Sequence, residues 1–170
     1  MNLDEAFRQY TNELYRYLFS LSKDHHTAED LVQEAFYRAY LQLEDYEITN
    51  IKAWLFKVAH NAFIDHYRKN KRVVIREHVQ ESLSFTMKTP EDEFVEKEGF
   101  ILLLKDIHSL KDQERHALIL CDLHHFKYQE AAAILEMKLN TFKSNLMRGR
   151  RKVMEKIIVR RNEDERRQQE

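Results

Sequence analysis

The chain has 170 residues, a net charge of −1 and one cysteine, Cys121. Glycine (2) and proline (1) are scarce, and hydrophobic and charged residues make up 43% and 34%. That balance predicts a soluble all-α protein of one or two small domains. The lack of a long apolar run predicts no membrane span, and the N-terminus does not read as a signal peptide. A lone cysteine excludes an internal disulfide and suits a reducing cytoplasm.

The first predicted helix runs from about Leu3 to Leu21, with Leu3, Phe7, Tyr10, Leu14, Leu18 and Leu21 at three-four spacing. The second opens at Thr27, taken as N-cap with Asp30 three residues on, and buries Ala28, Leu31, Val32, Ala35, Phe36 and Ala39. His25 and His26 read as a turn before it. Residues Leu43 to Asn50 break the pattern and read as a loop. A third helix follows to about Lys69, with Ile51, Leu55, Val58, Ala59 and Ala62 as its core stripe. Three such helices can close one small bundle.

Residues 73–89 read as a flexible linker. Thr89-Pro90 with acids after it marks a new helix start. Helices are predicted from there to Ile107, then over Lys111–Leu123, Tyr128–Met137 and Thr141–Val159. The predicted layout is a first domain over 1–72, the linker, a second domain over 90–160, and a polar tail over 161–170 that frays.

Charge is unevenly spread. Residues 57–76 hold six Lys/Arg against one acid, and residues 141–161 hold eight against one. Residues 77–98 between them hold seven acids against two lysines. Two basic blocks suggest two contacts with a polyanion, although solvated helix faces have the same composition.

On the last helix Phe142, Leu146, Gly149 and Val153 share one face. Lys143, Ser144, Met147, Arg148 and Arg151 share the other, and the short helix and turn before it complete a helix-turn-helix suited to a major groove. On the second helix Asp30, Gln33, Glu34 and Tyr37 form a polar stripe opposite the core, either solvated or a docking face for a basic partner. On the third, Trp54, Phe56, Phe63, Ile64 and Tyr67 lie off the core stripe. Trp54, Asn61, Asp65 and Arg68 line up there with Lys57 beside them. Rings among cations suit single-stranded nucleic acid; the bland reading packs the rings inside the protein. Cys121, His124 and His125 read as a helix end, not a zinc site. No phosphate loop or nucleophile elbow is present. The expectation is a non-enzyme with no cofactor and no metal.

The segments AEDLVQEAFYRAY (28–40) and IKAWLFKVAHNAFIDHYRKNKR (51–72), followed by the helix-turn-helix tract, resemble the extracytoplasmic-function sigma factors, small members of the sigma-70 family. The resemblance covers residues 3–158. It implies an alternative sigma factor, with residues 1–72 as region 2 and 90–160 as region 4. The implied partners are the RNA polymerase core (beta-prime coiled coil and beta flap), promoter DNA and a cognate anti-sigma factor, often membrane-anchored. By resemblance Asp30, Gln33, Glu34 and Tyr37 grip the polymerase. The Leu43–Asn50 loop captures a flipped base. Trp54, Lys57, Asn61, Asp65, Tyr67 and Arg68 meet minus-ten DNA, and Lys143, Ser144, Met147, Arg148 and Arg151 meet minus-thirty-five DNA.

The chain departs from the family at four places. Glu136 or Met137 stands where a turn glycine is usual. Asn145 and His60 stand where arginine is common, which predicts two lost phosphate contacts. Gly149 replaces an alanine, at up to about 1 kcal/mol of helix propensity, and suggests close helix approach. The alternative function is a stand-alone helix-turn-helix regulator with a helical effector domain.

Overall fold

The structure, a computed structural model, describes residues 2–43, 48–71 and 93–169, with side chains from 98 onward in the last stretch. Among them all regular structure is helical, and the chain divides into two compact units, N-terminal and C-terminal.

The N-terminal unit is three mutually packed helices: α1 (Leu3–Ser22), α2 (His25–Gln42) and α3 (Ile51–Lys71). Asn2 and Glu5 start α1 with a reciprocal capping box, and Lys23 ends it in the left-handed conformation at φ 57°. The start of α2 differs from expectation. Asp24 is the N-cap: its carboxylate accepts from the Thr27 N–H (2.9 Å) and hydroxyl (2.7 Å). The helix therefore begins at His25, and the two histidines form its first turn. His25 lies against Tyr15 and Phe19 and is hydrogen bonded to the Tyr15 hydroxyl. Asn50 caps α3 by accepting from the Ala53 N–H at 3.1 Å.

The six predicted core residues of α2 are all buried. On α1 the stripe is buried from Leu14 onward, whereas Phe7 stays 47% exposed and meets Phe36 edge-on at 4.7 Å. On α3 the bland reading holds for two rings: Phe56 and Phe63 are buried, Phe56 against Tyr17 of α1 at 5.0 Å. Burying one such side chain contributes about 1.5–3 kcal/mol.

Also inside is His60, 6% exposed, with its Nδ1 hydrogen bonded to the fully buried Tyr17 hydroxyl at 2.9 Å. This position points into the core, so it is not a surface site from which a phosphate contact has been lost.

The C-terminal unit holds α4 (Glu93–His108), α5 (Asp112–Leu118), α6 (Tyr128–Ile134) and α7 (Leu139–Gln168), with a π turn at Ile119–Leu123 continuing α5. α5 and α4 both pack on α7. The π turn begins within an unbroken buried run from His116 to Cys121. Such a run surrounds the helix on all sides. α7 continues through the expected fraying tail. Arg160 holds Asp106 of α4 through both carboxylate oxygens (2.7 and 2.9 Å), and Arg161 pairs with Glu165 one turn on. The predicted linker and the Thr89-Pro90 helix start lie outside the described residues.

Burial lowers the His60 pKa to about 4 from an ordinary 6.5. A depressed histidine means that the unfolded chain takes up the proton first. Stability is thus full above the unfolded pKa and falls as pH drops toward the folded one, by on the order of 3 kcal/mol. His60→Asn keeps an acceptor for the Tyr17 hydroxyl and cannot titrate. Its unfolding free energy in urea should fall less steeply between pH 6.5 and 4.5 than that of the unaltered chain. Equal slopes would show that His60 does not set the pH dependence.

Candidate nucleic-acid interface

The C-terminal site is built on α7. Phe142, Leu146, Gly149 and Val153 are buried, and Lys143, Ser144, Met147, Arg148 and Arg151 are all exposed. The helix wheel thus assigns both faces correctly. It does not show which cations are already engaged.

Arg150 makes a two-pronged pair with Asp122 (2.6 and 3.0 Å) and donates to the Tyr128 hydroxyl at 3.2 Å. Lys152 donates to both oxygens of Glu114 at 2.8 and 2.9 Å, and Arg160 holds Asp106. Three cations of the basic block therefore tie α7 to its own unit. Lys143 and Arg151 have no acidic partner among the described residues and stand exposed.

Glu114 is the most deeply buried of these acids, its side chain 3% exposed. The Lys152 ammonium, with the Lys111 N–H and Arg148 adding to it, holds its carboxyl below the usual carboxylate range. Arg148 Nε lies 3.6 Å from Glu114 Oε1. Between these two cations sits Gly149. A Cβ there would stand 3.2 Å from the Glu114 carbonyl oxygen and 3.5 Å from Leu110 Cδ1. The glycine lets the α7 backbone approach α5, as its position suggested.

Asn145 is 4% exposed, so this position too is not a vacated phosphate contact. Its amide donates to the Thr141 carbonyl at 3.0 Å and accepts from Arg148 Nη2 at 3.1 Å. In the turn before α7, Glu136 takes up the left-handed conformation at φ 53°. The chain keeps there a geometry that glycine adopts freely, and a side chain pays about 1–2 kcal/mol for it. α6 consequently ends at Ile134, three residues before the predicted Met137.

In the N-terminal unit Asp30, Gln33 and Tyr37 are exposed on α2, Tyr37 by 61%. Glu34 is different. Arg38 bridges it (2.7 Å) to Asp65 on α3 (2.7 Å), so one residue from each predicted set joins a single ion-pair network. The sequence signal for Arg38 is its i,i+4 spacing from Glu34. On α3, Asn61 and Arg68 are exposed, Trp54 and Lys57 half-buried, and Tyr67 is 46% exposed with Lys71 over its ring at 5.7 Å. Of the loop expected to take a flipped base, residues 44–47 lie outside the described set. Cys121 is buried and donates to the Phe126 carbonyl at 3.4 Å, and burial pushes its thiol up to about 11. His124 is buried, and His125 is exposed with φ 58°.

Two family models match this arrangement. Sigma-70 region 2 covers residues 6–73, and Sigma-70, region 4 covers 101–153. The RNA polymerase sigma factor YlaC of Bacillus subtilis is 30% identical over 118 residues, which is 67% of this chain and 68% of YlaC. The chain belongs to the extracytoplasmic-function sigma factors of the sigma-70 family. SigM of Bacillus subtilis, an ECF RNA polymerase sigma factor, is 51% identical over 74 residues, 44% of this chain and 45% of SigM. That alignment thus spans less than half of the relative. Among solved structures, the sigma factor RpoE in complex with the anti-sigma factor NepR, from Bartonella quintana, superposes with a TM-score of 0.77. It is 29% identical, over 92% of this chain and 96% of that one. The region 2 match spans α1 to α3. The region 4 match ends at Val153, so the last fifteen residues of α7, 154–168, lie beyond it.

Gly149 offers a direct check of the α5–α7 packing. Gly149→Leu gains helix propensity but drives a side chain into the backbone at Glu114. It should lose about 1–3 kcal/mol of stability in chemical denaturation. A gain would show that α7 can move away from α5 at no cost.

Proposed function

We propose that this chain is an alternative sigma factor: it binds the RNA polymerase core and directs initiation at a specific set of promoters. The observation that carries the reading is one chain joining two sigma-70 regions, each with a fitting exposed face. On α2 that face is acidic and amide-bearing; on α7 it is cationic.

In this reading Asp30, Gln33, Glu34 and Tyr37 dock on the beta-prime coiled coil. Trp54, Lys57, Asn61, Asp65, Tyr67 and Arg68 border the minus-ten element. Extruding a base costs a few kcal/mol, and stacking on an exposed ring returns about 1–3 kcal/mol per base. Tyr67 is the ring best placed for that by exposure. Binding energy opens the duplex, and no catalytic residue is required. Lys143, Ser144, Met147, Arg148 and Arg151 read the minus-thirty-five element, phosphate contacts setting the register and base edges the sequence. The C-terminal unit also meets the beta flap. Two regions on one chain turn two modest affinities into one stronger event.

The solved RpoE complex contains an anti-sigma factor. A cognate anti-sigma factor is therefore a partner of this chain too, in some systems carried on a membrane. No helix among the described residues is long and apolar enough to cross one itself. The site of action is the cytoplasm, and the regulon is one of stress or envelope genes.

The test is transcription by purified bacterial core polymerase on a fragmented genomic template. Adding the chain should produce initiation at a few discrete sites that core alone ignores. Tight binding to duplex DNA by the chain alone, with no initiation, would favour a stand-alone helix-turn-helix regulator. In the same system Asp30→Ala with Gln33→Ala should weaken core binding by about tenfold without lowering the melting temperature. Unchanged affinity would remove α2 from the polymerase contact.

A further inference from the structure

We propose that Asn145 is a specificity-positioning residue: it aims Arg148 at the edge of a guanine in the upstream element. The inference rests on the reading of α7 as the duplex-DNA reader.

A guanidinium has two hydrogen-bonding forks. One is formed by Nε and the near Nη2 proton. The other is formed by Nη1 and the remaining Nη2 proton. In Arg148 the first fork faces the protein. Nη2 donates to Asn145 Oδ1 at 3.1 Å, and Nε lies 3.6 Å from Glu114 Oε1. The second fork has no partner among the described residues, and the side chain is 47% exposed. Two parallel N–H donors at the end of an arginine match the N7 and O6 acceptors of guanine in the major groove.

The orientation of Asn145 is itself determined. Its nitrogen donates to the Thr141 carbonyl at 3.0 Å, so its oxygen must face Arg148. The amide is buried, whereas Arg148 is not. A buried, doubly bonded group holding a mobile exposed one reduces the rotamer freedom lost on binding. Arginine at position 145 would reverse this arrangement, because it offers Arg148 no acceptor and adds a like charge.

The experiment uses the full chain bound to core polymerase and a promoter library with a randomised upstream element. Recovered sequences give the base preference at each position. The unaltered chain should prefer guanine at one position, and Arg148→Ala should abolish that preference. Asn145→Leu fills the same space without an acceptor. It should cut the guanine preference at that position by at least about fivefold and leave the other positions unchanged. In the Arg148→Ala background it should have no further effect on base choice. If the leucine variant does not fold, Asn145→Ser, too short to reach Arg148, replaces it.

A guanine preference lost in Arg148→Ala but retained in Asn145→Leu would overturn the proposal while leaving α7 as the reader. Weakening by Asn145→Leu that is equal on all sequences would also overturn it. If Arg148→Ala changes no upstream preference at all, the reading of α7 fails and the proposal falls with it.

Discussion

One buried carboxylate organises the C-terminal unit. Glu114, at the start of α5, lies inside the protein, where a lone charge would cost several kcal/mol. It is tolerated because α7 brings Lys152 onto both its oxygens and Arg148 beside it. Position 149, having no side chain, leaves that approach unobstructed: a Cβ there would lie 3.2 Å from the Glu114 carbonyl oxygen. Helix spacing, burial and charge are thus coupled at one crossing. Arg148 stands at the edge of that crossing, half in the protein and half in solvent.

The same logic divides the remaining charges. The basic block of α7 reads in sequence as a uniform run of cations. In the fold Arg150, Lys152 and Arg160 face inward to Asp122, Glu114 and Asp106, and Lys143 and Arg151 face out. An exposed pair such as Arg150–Asp122 contributes about 0–1 kcal/mol, so Glu114–Lys152 and Asp106–Arg160, whose acids are buried, carry the greater share. The N-terminal unit repeats the division on a smaller scale. Arg38 takes Glu34 and Asp65 into an internal network, and Asp30 and Gln33 remain on the surface. A polar stripe is therefore not equivalent to a binding face: some of its members hold the helices together.

Periodicity reported direction well. The buried side of α2 and both sides of α7 agree with the wheel residue for residue, because a helix fixes angle per residue. It reported depth poorly. Phe56, Phe63 and His60 lie off the main stripe of α3 yet are buried, since α3 packs against two other helices and its buried arc is wide. Cap choice failed where two candidates compete: Asp24 and Thr27 both suit an N-cap, and the carboxylate takes both the N–H and the hydroxyl of the threonine. The ion pairs that sort the cations join residues 28, 38 and 54 positions apart. No local pattern encodes such pairs. Asn145 shows the same limit. As a departure from a family motif it read as a lost phosphate contact, and only its burial reveals an amide bonded on both sides.

The central claim is that α7 holds its unit together with Arg150, Lys152 and Arg160 and meets DNA with Lys143 and Arg151, Arg148 touching both sides. Adjacent residues Arg151 and Lys152 fall on opposite sides of that division. The most direct measurement replaces each with methionine and follows, for both, urea unfolding and binding of the holoenzyme to a promoter upstream element. Lys152→Met should leave Glu114 with only the Lys111 N–H and the more distant Arg148, and cost about 3 kcal/mol of stability. Arg151→Met should leave stability within about 0.5 kcal/mol and weaken upstream binding, with a shallower salt dependence. A stable Lys152→Met, or an Arg151→Met with unaltered DNA affinity and salt dependence, would contradict the account.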